Sequence, residues 1–94
     1  LLWNTYQVNS GAGYTLTSPE IRAGSSVGSG TVFLAASDDR SIQTTGTSAA
    51  RLGASYPVSG LTEGTVYNVA LNHSVQSGTG TFLRREVTVI PQLA

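Results

Sequence analysis

No stretch of this chain keeps apolar residues on one helical face for even two turns, and that absence limits its fold more than any other feature. Glycine, serine and threonine interrupt the sequence throughout, with β-branched and aromatic residues in short runs between them. Helices are excluded on this pattern, and the regular return of the apolar runs separates the chain from a disordered one. Strands are predicted over Trp3–Val8, Tyr14–Thr17, Glu20–Ala23, Thr31–Ala36, Ser41–Thr45, Ala50–Val58, Thr65–Val75 and Thr81–Ile90. Short strands at this spacing, divided by turn signals, predict an all-β antiparallel sandwich of jelly-roll type. GSSVGSG, residues 24–30, is expected to be a mobile loop. SDDR, residues 37–40, is expected to turn between TVFLAA and SIQTT, with Asp38 and Asp39 bonding nearby backbone N–H groups.

A single domain of 94 residues hides only about 60–65% of its unfolded surface, so it needs help to be stable. Disulfides cannot supply it, because there is no cysteine, and one histidine without cysteine cannot build a zinc site. No cofactor is expected, and oligomerisation is left as the expected helper. The formal net charge is zero and the basic residues are all arginine. No basic field exists to attract nucleic acid or an anionic membrane, and no apolar run is long enough for a membrane helix. The chain reads as soluble, and its start at Leu1 without an initiator methionine reads as a fragment or processed product of something longer.

Residues 65–90 raise the main question. They look like a hairpin around a QSGTG loop, yet Arg84, Arg85 and Glu86 stand in the middle of its second arm. One register pairs Tyr67 with Val89, Val69 with Val87, Leu71 with Arg85 and His73 with Leu83 on an apolar face. Arg84 and Glu86 then fall on the polar face. Arg85 and His73 are left at the loop end of the apolar one, where an unpaired guanidinium would cost several kcal/mol. Two explanations stand: Arg85 reaches water past the core edge, or this end meets another subunit. On the second, His73, Arg85, Leu71 and Leu83 are the interface candidates, with Glu20, Asp38 or Glu63 of a neighbouring chain as ion-pair partners.

Catalytic signals are poor. No nucleophile-elbow sequence occurs, the lone His73 lies in a strand, and GSSVGSG and QSGTG lack the GK[ST] ending and following helix of a phosphate loop. The expectation is a protein that is not an enzyme. Asn72-His73-Ser74 fits a glycosylation sequon and is read as chance.

Two resemblances add to this. Leu61-Thr62-Glu63-Gly64-Thr65-Val66-Tyr67 resembles the L-x-P-G-T-x-Y corner of fibronectin type III domains, with Glu63 in place of the proline. It implies a structural corner at Leu61, Gly64 and Tyr67 in which the Tyr67 hydroxyl bonds back to the backbone. A larger portion, from TVFLAASDDRSIQTTGTSAARLGASYPVSGL through YNVALNHSVQSGTGTFLRREVTVIP, resembles the sandwich domains of tailed-bacteriophage virion proteins, tail-fibre tips and capsid-decorating proteins among them. That resemblance implies a structural virion component, located on the capsid surface or tail, whose last hairpin packs around a threefold axis as a homotrimer. Its partners would be other virion proteins. The alternative is an extracellular adhesion or carbohydrate-binding module, for which Tyr6, Tyr14 and Tyr56 would be the aromatics available to a host surface glycan.

Overall fold

The computed structural model describes residues 1–47 and 49–90. Among these residues seven strands form: β1 (Leu2–Asn9), β2 (Tyr14–Ala23), β3 (Thr31–Leu34), β4 (Ile42–Thr45), β5 (Ala50–Ser55), β6 (Tyr67–Val75) and β7 (Gly80–Thr88). They make an antiparallel β-sandwich. One sheet runs β5-β1-β7; in the other, β2 is central, with β6 on one edge and β3 and β4 on the other. Strand alternation decides what faces inward: Trp3, Thr5, Gln7 and Asn9 are buried along β1, while the residues between them are more open.

Two predicted strands, Tyr14–Thr17 and Glu20–Ala23, are one continuous β2 that carries Pro19 in its middle. Proline lacks the N–H that a central strand must donate. Even-numbered residues of β2 bond toward β6, as the contacts from Gln76 N to Tyr14 O and from Gly24 N to Val66 O show. Pro19 therefore turns its missing donor to the other edge. There β4 pairs only with residues 14–17 and β3 only with residues 21–23, so nothing needs that donor.

The segment over residues 24–30 is pinned, contrary to the mobile loop expected. Asn68 donates from Nδ2 to Gly24 O and Ser29 O, each at 3.1 Å, and accepts from Gly28 N at 3.1 Å. Gly30 cannot be replaced here, since a Cβ on it would collide with the Ala23 carbonyl and its φ is +98°. In the SDDR segment a single 3-10 turn spans Asp38–Arg40, and its capping acceptor is the Ser37 hydroxyl, which receives Asp39 N, in place of either aspartate side chain.

The largest departure from expectation is the last hairpin. β6 pairs with β2 and β7 with β1, so the two arms lie in opposite sheets and the predicted ladder between them is not formed within the chain. The QSGTG segment is an arch from one sheet to the other. Its path is fixed by the neighbouring β1–β2 connection: Asn9 Nδ2 donates to Ser77 O at 2.8 Å, Ser10 N to Thr79 O at 2.9 Å, and Thr79 N to Ser10 Oγ at 2.9 Å. The two connections cross the same end of the sandwich side by side. β6 is thus carried along β2, and β7 along β1.

Candidate functional site

Polar side chains fill much of the space between the sheets. Among the described residues the buried hydrophobic side chains are Trp3, Leu16, Ile21 and Ile42, while Thr5, Gln7, Thr15 and Thr17 are wholly buried. Buried polar groups need partners, and Gln7 organises them. Its Nε2 donates to Thr15 O at 2.6 Å, Ile42 O at 3.3 Å and Thr44 Oγ1 at 3.3 Å, and its Oε1 accepts from Thr17 Oγ1 at 2.9 Å. Two backbone carbonyls at Nε2 leave no doubt which end of the amide is nitrogen.

That orientation sets the next proton. Thr17 has one hydroxyl hydrogen and gives it to Gln7, so toward His73 Nδ1, 2.9 Å away, it can only accept. His73 must therefore carry its hydrogen on Nδ1, leaving a lone pair on Nε2. Arg85 Nη1 lies 3.4 Å from Nε2, a donor facing that lone pair. Phe82 stacks on the imidazole with ring centroids 4.2 Å apart. A relay of four side chains thus runs from the buried Gln7 out to the exposed Arg85, and it holds only for neutral imidazole.

Burial, with the Arg85 charge beside it, holds His73 below the ordinary histidine range. Neutral His73 is the form the native state keeps, so between its native pKa and the unfolded value near 6.5 the unfolded chain binds more protons. Stability from this site is complete above about pH 6.5 and declines as the pH falls from there toward the native pKa. Thermal melts between neutral and mildly acidic pH should show that decline, and His73→Gln should reduce it. Equal acid sensitivity in both proteins would disprove the relay.

Of the predicted interface residues, His73 and Arg85 do meet, but across the gap between the sheets. Leu71 lies opposite Pro19 on β2. Leu83 stands away from them, opposite Tyr6 on β1. The cause is an irregularity in β7: the register with β1 shifts between Asn4 and Tyr6, and Arg84 takes a φ of 51°. The shift turns Arg84 over the Tyr6 ring, 5.2 Å from its centroid. Sequence alternation carries no sign of such a bulge and so leaves Leu83 on the same face as Arg85 and Val87. At the predicted corner the Tyr67 hydroxyl accepts Thr62 N at 2.9 Å, and this bond draws the phenol below its usual pKa.

An apolar depression of about 430 Å³ opens at the end of the sandwich, where Leu1, Ile21, Tyr67, Val69, Val89 and Ile90 are among its walls. A polar one of about 160 Å³ lies among Ser18, Ser37, Asp38, Asn72, His73 and Ser74. Serine, histidine and aspartate share that second hollow, yet both ring nitrogens of His73 are engaged, by Thr17 and Arg85, and neither faces a serine or Asp38. Glu20, whose carboxyl is held below its usual range chiefly by the Arg22 hydrogen bond, is occupied at 2.7 Å by that arginine. Among the described residues no three His, Cys, Asp or Glu side chains gather as metal ligands would. Of the tyrosines named as glycan candidates, Tyr6 lies under Arg84 and Tyr56 under Arg40, while Tyr14 is exposed. Comparison with protein-family models, curated proteins and solved structures finds no match.

Proposed function

We propose that this chain is a non-catalytic structural component of a tailed-bacteriophage virion and works as a homotrimer, on the capsid surface or the tail. The observation that carries self-association is the state of the last strand. Leu83, Val87, Val89 and Ile90 are 49%, 37%, 59% and 56% exposed, so the final ten residues described hold apolar surface that one copy does not cover. A thin, largely polar core makes that uncovered surface costly. The virion assignment rests on the resemblance carried by residues 31–61 and 67–91.

A second reading, an extracellular adhesion module, is favoured by one observation: the Tyr67 hydroxyl closes on Thr62 N as in the tyrosine corner of fibronectin type III domains. The two readings predict different masses. Size-exclusion chromatography with light scattering at micromolar concentration should give three chain masses for the virion protein, whereas a single chain mass would reject it in favour of the adhesion module.

A further inference from the structure

The flank that carries His73 and Arg85 ends in two open strand edges, β6 from one sheet and β7 from the other. Among the described residues no backbone hydrogen bond leaves the outer side of either strand. Free edges invite strand addition, and proteins usually guard them with charge, proline or a bulge. β6 has none of these: YNVALNHSV contains no Asp, Glu, Lys, Arg or Pro, and it follows β2 over all nine residues without a register shift.

Backbone parity shows which groups are free. Along β6, even-numbered residues bond to β2, so Tyr67, Val69, Leu71 and His73 point their N–H and C=O outward. Along β1, Leu1 exchanges both backbone bonds with Tyr56, which assigns odd residues to β5 and even residues to β7. Asn4 and Leu2 are therefore bonded to Glu86 and Thr88, and the outward groups of β7 beyond its bulge belong to Arg85 and Val87, with Val89 following at the strand's end. Inward side chains along β6, and along β7 beyond its bulge, are also the odd ones, since Val87 lies beside the buried Trp3 and His73 beside the buried Thr17.

We infer that the β6 edge of one copy takes up the β7 edge of a second copy, with Val69 opposite Val87, Leu71 opposite Arg85 and Tyr67 opposite Val89. This antiparallel register is the one the apolar alternation of the sequence selects. At these three pairs, all beyond the bulge, it matches free donors to free acceptors and joins the apolar inner face of one copy to that of the next; a shift by one residue would oppose bonded groups to free ones. It also carries Val89, now 59% exposed, onto a neighbour's Tyr67 beside the apolar hollow. The second copy is the occupant because its own strand supplies both the pattern and the parity.

The inference rests on the self-association proposed above and specifies its contact. The chain's lack of cysteine makes the test clean. Val69→Cys and Val87→Cys single variants, with different tags, are co-expressed and oxidised, and Leu71→Cys with Arg85→Cys serves as a second pair should the first fold poorly. Opposed Cα atoms in a ladder lie within disulfide reach. The expected product is a mixed disulfide of two chain masses on non-reducing analysis, absent when either variant is oxidised alone. Self-linked Val69→Cys chains would mean β6 meets β6 and would overturn the inference. Light scattering separates the remaining failures: an oligomer without the mixed disulfide overturns this contact alone, and a monomer without it overturns self-association as well.

Discussion

Trp3→Ala should cost the fold about 3–5 kcal/mol, the usual range for deleting a buried large aromatic side chain. Trp3 is 3% exposed and sits between Ala54 of β5 and Val87 of β7, so it is the one large ring in the middle of its sheet's inner face. Domains of this size hold about 5–15 kcal/mol in all, which makes the loss a substantial share of the total. With so few hydrophobic side chains fully buried, little nearby mass can relax into the space. Chemical denaturation should show a midpoint far below that of the parent with cooperative unfolding retained. Trp3→Phe should lose much less, because the indole Nε1 is buried without a partner and its removal leaves no group unsatisfied. A Trp3→Ala protein that melts with the parent would remove Trp3 from the core.

What the sequence could reveal follows the range of the physics involved. Strand positions were legible because alternation and turn residues act over a few neighbours, and the antiparallel sandwich follows from their number and spacing. Partner choice was not, because alternation states which side chains share a face and is silent on which strand lies alongside. For 65–90 it gave the period of β6 and of β7 beyond its bulge, but the wrong neighbour: the deciding bonds, Asn9 to Ser77 and Ser10 to Thr79, join residues almost seventy positions apart. Pro19 misled in a similar way, since its place in β2 depends on a gap between two other strands. The polar interior was the least legible. Gln7 looks like any strand glutamine until Thr15 and Thr17 of β2 and Ile42 and Thr44 of β4 are brought around it.

Gln7→Leu is the sharper test of that interior. Leucine fits the space roughly but donates and accepts nothing, so Thr44 Oγ1 loses its donor and Thr17 Oγ1 loses the acceptor for its proton. The carbonyls of Thr15 and Ile42 suffer less, because both belong to paired positions of the β2–β4 ladder. Each buried group left without a partner costs about 1–3 kcal/mol, and part of that is offset by burying an apolar side chain. The expected net loss is about 2–4 kcal/mol, read in thermal melts as roughly 4–8 °C for each kcal/mol in a chain of this length. A simple packing defect could produce a similar drop, but it would leave the relay's protons alone. Without Gln7 Oε1, the Thr17 hydroxyl turns to His73 Nδ1, and the imidazole must then move its hydrogen to Nε2, where it confronts the Arg85 donor. Nitrogen NMR of the His73 ring should therefore report the Nδ1–H tautomer in the parent and the Nε2–H tautomer in Gln7→Leu. The same tautomer in both would show that Gln7 does not govern His73, whatever the melting temperature does.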